Sequence, residues 1–240
     1  LGDIYVNDAF SCSHRAHASV EGITKYIPSY FGLQITKEIE ALKRITSEIK
    51  KPVSLVIGGS KISTKISIIN NLAKKFNNII IVGGMANTML KHTGYKIGKS
   101  ICENDCGPLI KEILEISKKF NCKIVCPIDA VVSKSIEGAG KNKDIKEIND
   151  DEIILDIGPK TISEIKKIIN DSNTVLWNGP AGYFENPNFQ AGTKEILEII
   201  AQKTINDKIF SVAGGGETVA AINKFKKFDS FTFVSTAGGA

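Results

Sequence analysis

The sequence predicts an α/β protein of three layers, α/β/α, with helices on both faces of a six-stranded, mostly parallel sheet and the remnant of a second α/β domain before it. Three observations lead there. Short apolar, β-branched runs recur along the 240 residues, segments with helical spacing fill the intervals, and glycines follow most of the runs. Continuous apolar runs mark strands covered on both faces, as in a parallel sheet. Strand–helix alternation at this spacing predicts right-handed crossovers.

The six expected strands are residues 53–57, 79–82, 123–126, 174–177, 209–213 and 231–234. Helices are expected between them at 63–76, 103–120, 161–171 and 189–204. In the second of these, Leu109, Ile110, Ile113, Leu114 and Phe120 form one stripe. The third opens on Thr161 and Glu164, spaced as a capping box. Ahead of the first strand, Ile35, Ile39, Leu42, Ile45 and Ile49 repeat at helical spacing. Pro52 stops that helix, because the residue before a proline is pushed out of the helical region. Residues 5–19 carry polar chemistry without sheet-forming neighbours of their own and read as a piece of another domain. The expected division is therefore 1–34 as the end of one domain, 35–51 as a connecting helix, and 52–240 as a Rossmann-like domain. Residues 137–151 are polar and aperiodic, and are expected to form an exposed insertion.

Composition bounds the function classes. At 42% hydrophobic and 24% charged, the chain can bury a core, which excludes a disordered tail, a collagen-like fibre and a disulfide miniprotein. Its 240 residues exceed a prior of about 150 per domain, so one large domain or one and a half are both open. No apolar run approaches the roughly 20 residues that cross a bilayer. The net charge of +5 sits in lysine runs such as Lys74-Lys75 and Lys166-Lys167, which read as solvated helix faces. No basic stripe interleaved with aromatics announces nucleic acid. Among 31 basic residues only Arg15 and Arg44 are arginine. A planar guanidinium suits phosphate or carboxylate, which singles out Arg15. Leu1 in place of Met, and the run Ala237-Gly238-Gly239-Ala240, read as cut ends, and no signal peptide is visible.

Five cysteines without a secretory signal read as reduced cytosolic thiols. Cys102, Cys106, Cys122 and Cys126 imitate the two halves of a zinc site. However, Cys122 and Cys126 flank a strand, and positions four apart on a strand lie about 13 Å apart, too far to share one zinc at about 2.3 Å.

The glycines carry the functional signal. Gly58-Gly59 follows the first strand, Gly83-Gly84 the second, Asn178-Gly179-Pro180 the fourth and Gly214-Gly215-Gly216 the fifth. Ligands of open parallel sheets bind at the carboxyl ends of the strands. Glycine there lets backbone N–H groups approach a phosphate, and a following helix N-terminus adds positive potential. Four strands ending this way suggest a nucleotide or phosphate site. Two better-known motifs fail. Gly94, Gly98, Lys99 and Ser100 miss the P-loop spacing by one residue and follow a helix-like segment instead of a strand. No G-x-G-x-x-G opens a helix, which disfavours an NAD-dependent dehydrogenase.

Taken in order, several motifs resemble those of phosphoglycerate kinase. They are Val6-Asn7-Asp8-Ala9-Phe10 with His14-Arg15-Ala16-His17-Ala18-Ser19, Gly58-Gly59-Ser60-Lys61-Ile62-Ser63-Thr64-Lys65, Trp177-Asn178-Gly179-Pro180, Phe184-Glu185, Gly214-Gly215-Gly216-Glu217-Thr218, and Ser235-Thr236-Ala237-Gly238-Gly239-Ala240. The resemblance spans the chain. It implies a two-domain glycolytic kinase, cytoplasmic and monomeric, of which this chain holds the end of the N-terminal domain, the connecting helix and nearly all of the nucleotide-binding domain. About 150 residues would precede Leu1, and a short stretch would follow Ala240. The implied reaction moves a phosphoryl group between 1,3-bisphosphoglycerate and MgADP, giving 3-phosphoglycerate and MgATP. The partners are ADP or ATP with Mg²⁺ and the two glycerate phosphates, with neither nucleic acid nor membrane.

The resemblance also implies residue roles. Lys61 and Lys65, expected one helical turn apart, would contact nucleotide phosphates, with Lys61 nearest the transferred group. Gly59 and Ser60 belong to the same turn. Gly214, Gly215, Gly216 and Thr218 would cradle phosphate, and Gly215 and Gly238 would act with Lys61 and Arg15 at the transferred group. Glu217 stands where the family usually has aspartate and would hold Mg²⁺, its extra methylene moving the carboxylate outward by about one bond. Glu185 would hold the ribose, Asn178 and Pro180 would form part of the nucleotide wall, and Gly83 and Gly84 would leave flat space for the adenine. Arg15, with His14 beside it, would bind the triose substrate. Ala237 replaces the first glycine of the family's terminal triplet. A carboxylate nucleophile is already ionised at neutral pH, so no general base is needed, in keeping with the lack of a Ser-His-Asp or paired-carboxylate arrangement. The alternative is that the chain alone is a catalytically inactive nucleotide-binding module.

Overall fold

The computed structural model describes residues 2–47 and 49–235, and the side chains up to Arg44 and from Ile49 onward. At the start, β1 (Tyr5–Asn7) pairs in parallel with β2 (Ser29–Phe31), and helix α1 (Leu33–Ser47) follows. The Asp8 carboxylate accepts from the N–H groups of Gln34 and Ile35 at 2.7 and 3.0 Å, capping α1 from a segment well before it in the chain. Of the expected α1 stripe, Ile35 is buried but Ile39 is 41% exposed, and Ile45 lies outside the described side chains.

The chain then runs through β3 (Val53–Ile57), α2 (Ile66–Ala73), β4 (Asn78–Ile81), α3 (Gly83–His92), α4 (Gly107–Phe120) and β5 (Lys123–Val125). Next come β6 (Asp129–Ser133), β7 (Lys141–Asp144), β8 (Ile153–Ile157) and α5 (Pro159–Asn170). It continues with β9 (Thr174–Asn178), α6 (Ala191–Ile205), β10 (Phe210–Ala213), α7 (Gly216–Lys224) and β11 (Phe233–Val234). Six strands form one sheet in the order β11-β10-β9-β3-β4-β5, every pair parallel. The chain builds outward from β3 in one direction and from β9 in the other. That is the doubly wound arrangement, and its strand order reverses between β3 and β9.

Alternation along the strands explains the layers. Val53, Leu55, Ile57, Ile79 and Ile81 pack with Ile69 of α2 and Ile110 and Ile113 of α4. Val56, Ile80, Val175 and Trp177 point the other way, against Ile165 of α5, Leu197 of α6 and Ile222 of α7. Successive side chains of a strand face opposite sides, so strands apolar at nearly every position fill both cores. Within α4 the buried stripe is Ile110 and Ile113; Phe120 is 39% exposed and does not join it.

Three expectations are corrected. Residues 137–151 are not a free insertion: β7 pairs antiparallel with β6, β6 pairs with β8, and Ile145 and Ile148 are buried. These strands form a second, three-stranded sheet. Thr161 does not cap α5. The helix begins at Pro159, and Asp129 of β6 caps it instead, accepting from the N–H groups of Lys160 and Thr161 at 2.9 and 2.8 Å. Glu164 is paired with Lys123 at 3.0 Å. Helix α2 starts at Ile66, so residues 61–65 form a turn. Gly83 and Gly84 open α3, the helix-like segment expected ahead of Gly94.

Ile80 is 1% exposed inside the core against α5 and α6. Ile80→Ala should destabilise the chain by about 2–5 kcal/mol, whereas Ile39→Ala should cost about 0.5 kcal/mol or less. Urea denaturation of both variants checks the contrast.

Candidate nucleotide site

The site forms where the sheet order reverses. Gly58, just past β3, donates its N–H to the Asn178 carbonyl at the end of β9 at 2.8 Å. A Cβ on Gly58 would collide with the Pro180 carbonyl, and one on Gly179 (φ 107°) would collide with the Gly58 backbone. Only glycine permits this approach. Further bonds tie the remaining turns to it. The Gly59 carbonyl accepts from Met85 N–H of α3 at 2.9 Å, and Gly214 N–H donates to the Trp177 carbonyl at 3.0 Å. Gly179 N–H donates to Thr218 Oγ1 of α7 at 2.6 Å.

A cleft of about 550 Å³ opens beside these turns, between the carboxyl ends of the parallel strands and the antiparallel sheet. Of the expected residues, Gly59, Ser60, Gly83, Gly84, Pro180 and Glu217 line it. Helices α3 and α7 begin at Gly83 and Gly216, so two helix N-termini border the cleft with their positive ends. Its opposite wall is apolar, built from Ile101, Ile153, Ile154 and Leu155 with Tyr183 at the rim. A flat ring suits that side and an anion suits the glycine side.

The lysines separate. Lys65 is half-buried, and its Nζ donates to Asn178 Oδ1 and lies 3.9 Å from where a Gly59 Cβ would stand. Burial lowers its pKa from the ordinary 10.5, and the Glu217 carboxylate opposes that shift. Lys61 is exposed on the preceding turn and is not part of the cleft wall. The spacing argument that both ammonium groups share a helix face therefore fails, because the helix starts after them. Asn178, Gly214, Gly215 and Thr218 stand behind the wall and brace it; Gly215 lies against Asn178, with 3.2 Å from its Cβ position to Nδ2. Glu185 is exposed, and Lys224 Nζ holds its loop by donating to the carbonyls of Phe184 and Glu185 at 2.6 and 3.2 Å.

Arg15 and His14, both exposed, line a second cavity of about 910 Å³ formed by the N-terminal segment with Ile35 and Ile39 of α1. Gly238 lies outside the described residues. Among the described residues no three His, Cys, Asp or Glu groups gather as a metal cage. Burial pushes the Cys122 thiol up to about 11 and the Cys126 thiol to about 12, so neither is a thiolate at neutral pH. No described helix is long and apolar enough to cross a membrane.

Among the lining residues that escaped the sequence reading is one buried acid. Asp156, 1% exposed on β8, accepts from Gly192 N–H of α6 at 2.8 Å and from its neighbour Ile157 N–H at 2.9 Å. A lone acid inside the apolar run Ile153–Ile157 was the available signal.

The family model described as phosphoglycerate kinase matches residues 1–240. The phosphoglycerate kinase of Xanthobacter autotrophicus is 46% identical over 242 residues, covering all of this chain and 61% of that protein. That of Rhizobium meliloti is 46% identical over 241 residues, again across the whole chain and 60% of the relative. Among solved structures, phosphoglycerate kinase from Coxiella burnetii superposes with a TM-score of 0.92 at 38% identity, over 100% of this chain and 61% of that one. The enzyme from Pyrococcus horikoshii gives 0.84 at 30% identity, over 99% and 59%. The chain thus spans about 60% of the length of the relatives it matches.

Desolvation raises the Asp156 carboxyl from an ordinary 3.8 to about 7, against the opposing bonds from Gly192 and Ile157. Between about pH 4 and 7 the folded chain therefore holds a proton that the unfolded chain has released, and stability falls as pH rises across that window. Asp156→Asn should flatten this slope; urea midpoints from pH 4 to 7 that keep the parent's slope would count against the assignment.

Proposed function

The chain belongs to the phosphoglycerate kinase family, and from that membership we propose that it carries the nucleotide half of a phosphotransferase with a carboxyl acceptor. The reaction is phosphoryl transfer between 1,3-bisphosphoglycerate and MgADP, giving 3-phosphoglycerate and MgATP, the ATP-generating step of glycolysis in the cytoplasm. The single observation that supports this most is the meeting of four glycine turns at the β3–β9 reversal, with half-buried Lys65 beside them and an apolar wall opposite.

In this reading residues 52–240 form the nucleotide domain, 35–51 the connecting helix and 1–34 the edge of the triose-binding domain. The base enters between Gly83–Gly84 and the Ile101–Leu155 side, with its ribose toward Glu185. The N–H groups of Gly215 and Gly216 at the start of α7 hold phosphate oxygens, with Gly214 fixed behind them by its bond to Trp177. Lys65, already oriented by Asn178, supplies charge that desolvation makes stronger than in water. Lys61, from its exposed turn, reaches the transferred group, and Arg15 and His14 hold the triose anion. Both phosphate and carboxylate are ionised at neutral pH, so the residues position and neutralise and no proton needs to move.

The donor set fits a magnesium–nucleotide. Mg²⁺ is usually held by one or two carboxylates plus substrate phosphates, and Glu217 offers one exposed carboxylate in the first turn of α7 at the cleft. When bound, the ion would neutralise charge on the phosphates. Because the chain spans about 60% of its relatives, a second reading is a nucleotide-binding module without turnover of its own.

Thermal shift with MgADP and with NAD, followed by a coupled kinase assay, separates the readings. MgADP at 100 times its Kd should stabilise the chain by about 2.7 kcal/mol and NAD should not. No shift with MgADP rejects both readings, and turnover by the chain alone rejects the second. Lys65→Ala should weaken MgADP binding about 10- to 100-fold, the loss of one charged hydrogen-bond donor. Glu217→Gln should reduce the gain in ADP affinity on adding Mg²⁺ while leaving binding in EDTA close to the parent's, as read by calorimetry in the two buffers.

A further inference from the structure

The turn that carries Lys61 and Lys65 precedes α2 and joins it only at Lys65, whose carbonyl accepts from Ile69 N–H at 3.0 Å. Inside it, Lys65 N–H donates to the Ile62 carbonyl at 3.0 Å and the Thr64 hydroxyl to the Lys61 carbonyl at 2.9 Å, while Ile62 is buried in the core. Outside the turn, Lys65 Nζ is held by Asn178, and the backbone at its centre is held by Glu103. Ser63 donates its backbone N–H to Glu103 Oε2 at 3.0 Å and its hydroxyl to Oε1. Two donors from one residue on the two oxygens of one carboxylate fix orientation as well as position. The two Ser63 bonds, hydroxyl first, hold the Glu103 carboxyl below its ordinary range, so it is ionised at neutral pH.

Glu103 is anchored in turn to the other side of the cleft. Its own N–H donates to Thr88 Oγ1 at 3.0 Å, and the Thr88 hydroxyl donates to the Gly84 carbonyl at 3.1 Å. Two residues earlier, the Ile101 carbonyl accepts from Asn87 Nδ2 at 3.1 Å, and Ile101 is itself part of the apolar wall. Thus residues 101–103 run from α3, whose first residues Gly83 and Gly84 line the cleft, to Ser63 in the middle of the lysine turn. Without that bridge the turn would keep its ends, at Gly59 and Ile66, and the buried Ile62 side chain, but lose the polar contact that orients Ser63 and the backbone on either side of it.

We infer that Glu103 is a positioning residue for the phosphate-binding turn: through Ser63 it sets where Lys61 and Lys65 present their charge relative to the part of the cleft that takes the base. This deepens the nucleotide reading above and rests on it. The consequence is specific to phosphate. A ligand held only by the apolar wall and the Gly83–Gly84 side does not use the turn, whereas one bearing phosphates does.

Titration of the whole chain with ADP and with adenosine, followed by calorimetry or NMR, tests this. Glu103→Gln should lower ADP affinity about tenfold, the scale of a charge-assisted hydrogen bond, and leave adenosine affinity within about twofold. Ser63→Ala, which keeps Glu103 and its bond to Thr88, should give a smaller loss in the same direction. The double variant should be no weaker than Glu103→Gln alone, because both changes break one contact. Ser63→Ala also answers the question if Glu103→Gln does not fold. Equal losses for ADP and adenosine, unchanged ADP binding, or additive losses in the double variant would each overturn the inference. If the unsubstituted chain binds no ADP, the nucleotide reading falls and this inference with it; ADP binding that both variants preserve sinks the inference alone.

Discussion

The contact on which the rest depends is the approach of two backbones, Gly58 after β3 and Asn178-Gly179-Pro180 after β9. Neither side has room for a Cβ, and the two are joined by the Gly58–Asn178 hydrogen bond of 2.8 Å. This contact sits at the one place in the sheet where neighbouring strands send their chains in opposite directions, and a crevice opens there for that reason. Directly beneath it, fully buried Trp177 stacks on Phe231 with centroids 6.1 Å apart and donates its indole N–H to the Gly179 carbonyl at 2.8 Å. The core is therefore tied to the turn by a polar bond as well as by packing. A rigid floor under flexible glycine turns lets four separate turns keep a fixed relation to one another.

The antiparallel sheet supplies what the parallel sheet lacks, an apolar wall facing the polar turns. It is built as an independent unit and then fastened. Lys143 and Glu152, both largely buried, pair at 2.7 Å, with Glu152 also accepting from Asn149 N–H at 2.8 Å. Breaking such a pair would leave an uncompensated charge inside the protein, so the unit holds its shape. Asp129 fastens it to α5 and Asp156 fastens it to α6 through backbone N–H groups at the helix starts. Two acids from one small sheet thus place two helices. The cleft divides its chemistry accordingly, with the glycine turns and the helix starts on one side and isoleucine and leucine on the other.

The six parallel strands were legible because a strand covered on both faces is apolar at nearly every position, with buried Ser54 and Ser211 as exceptions, a pattern solvent-facing elements do not share. The second sheet was not legible for the converse reason. Strand β7, Lys141-Asn142-Lys143-Asp144, is polar throughout. As an edge strand it contributes backbone hydrogen bonds and leaves burial to Ile145 and Ile148 just beyond it. Helix α3 was visible only as a helix-like segment ahead of Gly94, because its two opening glycines give no cap signal. Thr161 and Glu164 matched a cap by spacing, yet the donors at the start of α5 had already been taken by Asp129, 31 and 32 residues earlier in the chain.

By itself the sequence determined the α/β class, the strand positions, and the glycine-ended turns that point to phosphate, because period, burial and backbone freedom are local properties written residue by residue. Its motif order also indicated the family. Only the tertiary structure decided which lysine is desolvated, which acid stands at the cleft, and that Glu103 grips Ser63 across 40 residues. Each of those depends on what lies opposite in space: the same Lys65 would be a solvated surface charge if β9 did not bring Asn178 beside it. Pair energies and desolvation belong to neighbours, and in a doubly wound sheet the neighbours that matter come from distant parts of the chain.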